Sequence, residues 1–347
     1  MIRNDASFPT ILLPLLSLSV ILNSNSSILL VAGLSSTNNH PPVPSSAYAN
    51  NYRKVLRVCQ SPGCKDDGAT STFDCLLAMA PPGIDVVRGG CVSLCGSGPV
   101  VEVVCGDDDA DSALPTLSTK KKRVKGSEAI LSLLDECNSA DMNGGGDALK
   151  PHLRDRLLHG YELSLQANEA YKLKNYQLAV ELYTDAIESG RKPAMMLHEA
   201  RITFLNDADG GGDNIDDEIN ASEQGVVRWL VTSFKNSCRA RLFLRDVDGA
   251  RRDAFASTVF SRNLDGDAHE CLAEVCAASS DAFGELQGLK AAIKQYDRME
   301  EDYAMLANTG SDAPTRAEAA KERNHASVRK RELGFRVSKL ERVLQMK

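Results

Sequence analysis

The spacing of apolar positions changes once along this chain, from short runs to a helical period. Between residues 55 and 124 lie four short runs: VLRV at 55–58, IDVV at 84–87, PVVEVVC at 99–105 and the basic STKKKRV at 118–124. Bounded by Gly, Pro, Ser and Asp, they predict strands over 55–59, 84–88 and 99–105. The fourth predicts an edge strand whose lysines guard it against pairing with another chain. Phe73, Leu76, Leu77 and Ala80 recur at helical spacing and predict a helix over 70–80, capped by Thr70 or Ser71. Pro81-Pro82-Gly83 stops it. GSEAILSLLDEC at 126–137 predicts an amphipathic helix with Ile130, Leu133 and Leu134 facing inward. From Leu153 onward the period is helical almost without a break.

The first fifty residues follow neither pattern. Residues 8–22, FPTILLPLLSLSVIL, form an apolar run of fifteen. That is short of the roughly 20 residues a membrane span needs, and it suits the core of a signal peptide. No Asp or Glu occurs between Ala6 and Lys54, and SSTNNHPPVPSSAYAN is rich in Ser, Asn and Pro. The combination resembles the two-part presequences of algal plastid proteins. It predicts a removable leader over 1–50, a mature form with no membrane span, and a plastid (chloroplast stroma) location. The secretory pathway and the mitochondrion are the alternatives.

A length of 347 residues allows two or three domains. The 43% hydrophobic and 25% charged content is that of an ordinary soluble globular protein. A net charge of −7 argues against nucleic acid as a partner. Ten cysteines is a high count for a reducing compartment. Four form two close pairs: Cys59 and Cys64 with four residues between them, Cys91 and Cys95 with three. Each pair follows closely on a strand run, where loops carry function. Four thiolates on two neighbouring loops make a cavity for a soft metal centre, with iron–sulfur and zinc as candidates. Zinc sites favour C-x2-C knuckles, and a disulfide within either pair would close a very small loop. Cys75, Cys105, Cys137, Cys238, Cys271 and Cys276 read as small core hydrophobes.

The pattern C-x4-C, then GGCVSLCGSGPVVEV from Gly89 to Val103, resembles the thioredoxin-like 2Fe-2S ferredoxins. The resemblance covers about 85 residues. It implies a βαβ…ββα thioredoxin-like fold and a 2Fe-2S cluster held by Cys59, Cys64, Cys91 and Cys95.

In the helical half, ELSLQANEAYKLKNYQLAVELYTDAIESG places Ala167, Ala170, Tyr171, Tyr176, Ala179, Tyr183, Ala186 and Ile187 at small and aromatic positions. This resembles a tetratricopeptide (TPR) repeat, a 34-residue pair of antiparallel helices. Gly190 and Pro193 are expected to close the unit. A second unit is expected around NSCRARLFLRDVDGARRDAFAS, and a third, degenerate one from Asp267 to Met299. NDADGGGDNIDDEINASEQG between the first two reads as a disordered acidic insertion.

The expected architecture is therefore an α+β thioredoxin-like domain followed by an all-α TPR-like helical solenoid. Its bounds are a presequence 1–50, a ferredoxin domain 53–138, a linker 139–150, repeats 151–300 with an insertion 206–225, and C-terminal capping helices 301–347. Plant and algal plastid proteins resemble this pairing of domains. The resemblance implies an iron–sulfur electron carrier or redox sensor whose TPR-like groove docks a protein partner. The alternative is an interaction scaffold with a structural metal or disulfides and no redox turnover. No P-loop, nucleophile elbow or H-E-x-x-H is present, so a non-enzymatic role is expected.

Overall fold

The computed structural model describes residues 52–80, 84–91, 94, 98–107, 117–138, 151–207, 213–309 and 313–346. The leader 1–50, Cys95 and the linker 139–150 lie outside them. The described chain is an α+β unit followed by an all-helical one.

The first unit runs β1 (Tyr52–Cys59), α1 (Pro62–Asp66), α2 (Ala69–Met79), β2 (Ile84–Gly89), β3 (Val101–Asp107), β4 (Leu117–Lys121) and α3 (Ser127–Asn138). The four strands form one sheet in the order β2-β1-β3-β4. β1 and β2 are parallel, with Cys59 opposite Gly89. β3 runs antiparallel to both β1 and β4. Leu56 and Val58 on the central strand are fully buried. Lys120 and Lys121 lie on β4, which ends the sheet.

Two local features differ from the sequence expectation. Helix α2 starts at Ala69, after Gly68 with φ 102°, and no side chain caps it. Thr70 and Ser71 lie inside the helix, because the left-handed glycine turns the chain one step earlier. Cys64 sits on the one-turn helix α1 rather than in an open loop. PGCKD is too short for any apolar period to reveal.

The second unit runs α4 (Pro151–Lys172), α5 (Tyr176–Asp207), α6 (Asp213–Phe243), α7 (Val247–Phe260), α8 (Gly266–Ala278), α9 (Ala282–Thr309) and α10 (Ala313–Gln345). Three of its turns share one construction. Lys174, Arg245 and Ser280 have φ of 61°, 62° and 59°. Each precedes a residue that caps the next helix. Asn175 accepts from Leu178 N at 3.3 Å, and Asp246 and Asp281 accept from Gly249 N and Gly284 N at 2.9 Å. The helix pairs α4/α5, α6/α7 and α8/α9 are thus three hairpins built alike.

Gly190 and Pro193 do not end α5, which continues to Asp207. A β-carbon at Gly190 would stand 2.1 Å from the Trp229 ring, so this glycine makes room for α6 rather than closing a helix. Buried Ala194 and Leu197 extend the packed face beyond the proline. Residues 213–225 of the expected insertion are helical and open α6. Acidic Glu223 is buried there because His198 and Arg262 pair with it, at 2.9 and 3.4 Å. No described helix is long and apolar enough to cross a membrane.

One buried cluster runs from Leu56, Phe73 and Leu76 through Leu157 and Tyr161 to Trp229 and Phe234. The sheet unit therefore shares its core with the helical hairpins. Helix α2 lies on α6 and α4. The contact is close enough that a β-carbon at Gly225 would stand 2.5 Å from Ala78 N and 2.8 Å from the Asp74 carbonyl.

Candidate metal centre

The carboxyl end of β1 gathers the cysteine segments. Cys59 N donates to the Val100 carbonyl at 2.9 Å, and Gln60 N donates to the Gly89 carbonyl at 3.0 Å. These two bonds fix the end of β2 and the approach to β3 beside Cys59. α1 then folds back, with Lys65 N on the Ser61 carbonyl at 2.9 Å. The Cys64 thiol is thereby brought beside Cys59 and the Ser61 hydroxyl. Cys59 Sγ donates to Ser61 Oγ at 3.4 Å, and Cys64 Sγ to the Gly98 carbonyl at 3.5 Å. Both cysteines are 1% exposed.

Burial pushes the Cys64 thiol above its ordinary value, and neighbouring Cys59 adds to this. The Ser61 hydroxyl acts in the opposite direction. A ligand role for Cys64 therefore requires metal binding to displace a firmly held proton.

Cys91 lies two residues beyond Gly89 and is exposed. An extended chain rises at most about 3.6 Å per residue, so Cys91 Cα stays within roughly 7 Å of Gly89 Cα. Cys95 lies outside the described residues; Gly98, three positions on, carries the carbonyl that Cys64 reaches. Gly98 has φ 77°, and a β-carbon there would stand 3.3 Å from Arg123 Cα. Of the expected ligands, the structure brings Cys59 and Cys64 together, and Cys91 follows two residues after the β2 end that is bonded beside them. Among the described residues, no group of three or more His, Cys, Asp or Glu side chains is placed to hold a metal ion. Cys75 packs in the core, its thiol pushed up by burial.

Helices far along the chain hold the segment that carries the paired cysteines. Lys321 Nζ on α10 donates to the Gln60 carbonyl at 3.1 Å. Glu322 on α10 pairs with Lys65 at 3.0 Å. Burial alone would raise the Glu322 carboxyl, but Lys65 outweighs it and keeps the group below its ordinary value. Lys172 at the end of α4 donates to the Asp66 carbonyl at 2.6 Å.

Two further arrangements had no counterpart in the sequence reading. The guanidinium carbons of Arg88 and Arg228 lie 5.1 and 5.6 Å from the Phe73 ring centroid, beside the buried carboxylate of Asp74. Cys238 on α6 and Cys271 on α8 are fully buried neighbours, and the hydrogen bond from Cys271 pushes the Cys238 thiol up. Residues 33 positions apart on separate helices leave no local signal of such a contact.

A cleft of about 240 Å³ remains between the α1–α2 junction and the hairpins, lined by Lys65, Thr70, Asn168, Tyr171, Lys172 and Asn236 among others. Asn168 Oδ1 in it accepts from Tyr183 OH at 2.6 Å and from Asn236 Nδ2 at 3.3 Å. No protein-family model, curated protein or solved structure matches the chain.

Proposed function

We propose that this chain is a 2Fe-2S protein, an electron carrier or redox sensor, with Cys59, Cys64, Cys91 and Cys95 as cluster ligands. One observation carries the reading. Cys59 and Cys64 are buried neighbours at the strand end to which Gly89 and Val100 are also bonded. The donor set fits: thiolates are the ligands iron–sulfur clusters take, and Gly98 supplies a left-handed turn no larger residue adopts easily. When bound, such a cluster takes up and releases one electron at a time. The protein's part is to hold two sulfurs away from water, to offer the Ser61 hydroxyl to sulfur, and to leave the Cys91 side exposed as the edge for exchange.

The strand order β2-β1-β3-β4, with one parallel pair and two antiparallel ones, supports a thioredoxin-like first domain. The three equivalent turns support a TPR-like second domain; the caps Asp246 and Asp281 stand 35 residues apart, close to that repeat's length. Helix α2 lies on α4 and α6. In this reading the partner docks at the cleft beside it. Plastid import of the chain, with removal of residues 1–50, belongs to the same proposal.

The test is the visible spectrum of anaerobically purified protein. Red-brown absorption that dithionite bleaches, and that a Cys91→Ser variant loses, is the expected result. Colourless protein holding zinc or cystines points to the scaffold alternative.

A further inference from the structure

We infer that the C-terminal helix sets the geometry of the Cys59–Cys64 pair, with Lys321 and Glu322 as positioning residues acting through Gln60 and Lys65, the residues that follow each sulfur. The inference rests on the reading of these cysteines as ligands. It starts from where α10 touches. Lys321 bonds to the carbonyl of Gln60, the residue after Cys59. Glu322 pairs with Lys65, the residue after Cys64. Two consecutive residues of one helix thus grip both ends of one short segment, across more than 250 positions of sequence. Helix α10 is itself packed along α9, so the grip is anchored in the helical unit.

The segment needs such an anchor. α1 is five residues long and its N-cap Ser61 makes no side-chain capping bond. A single turn has no stability of its own in water. Lys172 steadies the far side at Asp66, beyond Cys64. The α10 side-chain contacts lie on the residues that directly follow each sulfur. The Lys65–Glu322 pair is set into the interface, its side chains 35% and 12% exposed, so screening weakens it less than a surface pair. The Lys321 ammonium also places a positive charge beside the site, which in a loaded protein favours the more negative reduced state.

The experiment uses the full chain, stripped of metal and reduced, in Lys321→Met, Lys321→Arg and Glu322→Gln forms. A short pulse of iodoacetamide is followed by tryptic digestion and mass spectrometry. Cleavage after Arg57 and Lys65 releases residues 58–65, which carry both cysteines. Loss of one charged hydrogen bond corresponds to about a tenfold rise in the labelling rate of this peptide in Lys321→Met. Peptides bearing Cys75 and Cys238 keep their wild-type rates, and Lys321→Arg restores the wild-type value. If Lys321→Met does not fold, Glu322→Gln gives the decision on the same readout, with an expected rise of about threefold. Wild-type labelling of residues 58–65 in a folded variant overturns the inference. So does equal acceleration at every cysteine, which marks general loosening. In protein reconstituted with iron and sulfide, Lys321→Met lowers the midpoint potential and Lys321→Arg does not. If the wild type takes up no iron and sulfide, the proposed function fails, while the labelling result still judges the positioning role.

Discussion

Replacing Gly225 with Ala tests how the two units are joined. In an ordinary helix interior this change is stabilising, by about 1 kcal/mol. Here the new β-carbon would lie 2.5 Å from Ala78 N, 2.8 Å from the Asp74 carbonyl and 2.9 Å from Ala78 Cα. All three are backbone atoms of α2, so no side chain can swing aside. Over-packing of this kind costs about 1–3 kcal/mol, and here it is aggravated because the helix must shift as a body. The net expectation is a loss of about 1–2 kcal/mol, or a fall in Tm of roughly 2–6 °C for a unit of this size. Gly334 on α10 supplies the control, since a β-carbon there meets nothing within 4 Å. Gly334→Ala should raise Tm by about 1–3 °C. The assay is thermal unfolding followed by circular dichroism and by emission of Trp229, the single tryptophan, which shares the buried cluster with α2. A Gly225→Ala protein as stable as the wild type, or more stable, would refute the seating of α2 on α6.

Thr72→Val should cost about 1–3 kcal/mol in denaturant unfolding, because Thr72 Oγ1 joins Tyr161 OH at 2.9 Å and the Val124 carbonyl at 3.1 Å inside the core. An unchanged midpoint would show that the chain of bonds is not formed. Asp267 predicts an acid-side loss of stability. Burial would raise its carboxyl, but Lys235 and then the Tyr296 hydroxyl overcome this and hold it at about 2 in the folded protein. The folded value lies below the unfolded 3.8, so the stabilisation is present above 3.8 and disappears as pH falls through about 2. The side chain is 43% exposed, so the effect is modest. Asp267→Asn should flatten the stability–pH curve between pH 4 and 2, and an identical slope in wild type and variant would count against it.

Much of the sheet unit is legible because its signals are local. VLRV, IDVV and PVVEVVC are apolar runs separated by glycine and proline, and each became a strand within three residues of its expected bounds. The helical hairpins are partly legible for the same reason. Small and aromatic residues at helical spacing, from Ala167 to Ile187, marked the first of them. Where glycine and proline misled, a tertiary contact had overridden the local rule. Gly190 lies under the Trp229 ring, and the face around Pro193 is buried on α6. The acidic stretch before Gly225 read as a disordered insertion, yet Glu223 has partners in His198 on α5 and Arg262 just beyond α7. At the candidate centre, spacing alone pointed to Cys59 and Cys64. The hold exerted by α10 on the residues that follow them was invisible, because nothing in a lysine–glutamate pair near the C-terminus names its partner.

The most direct measurement of the central claim is the iron and acid-labile sulfide content of the anaerobically prepared protein, with its electron paramagnetic resonance after reduction. The account predicts two irons and two sulfides per chain, and a signal from one reduced cluster that disappears when Cys59, Cys64, Cys91 or Cys95 is changed to serine. Protein that binds iron and sulfide equally well with Cys64 replaced, or that binds none after reconstitution, would contradict it.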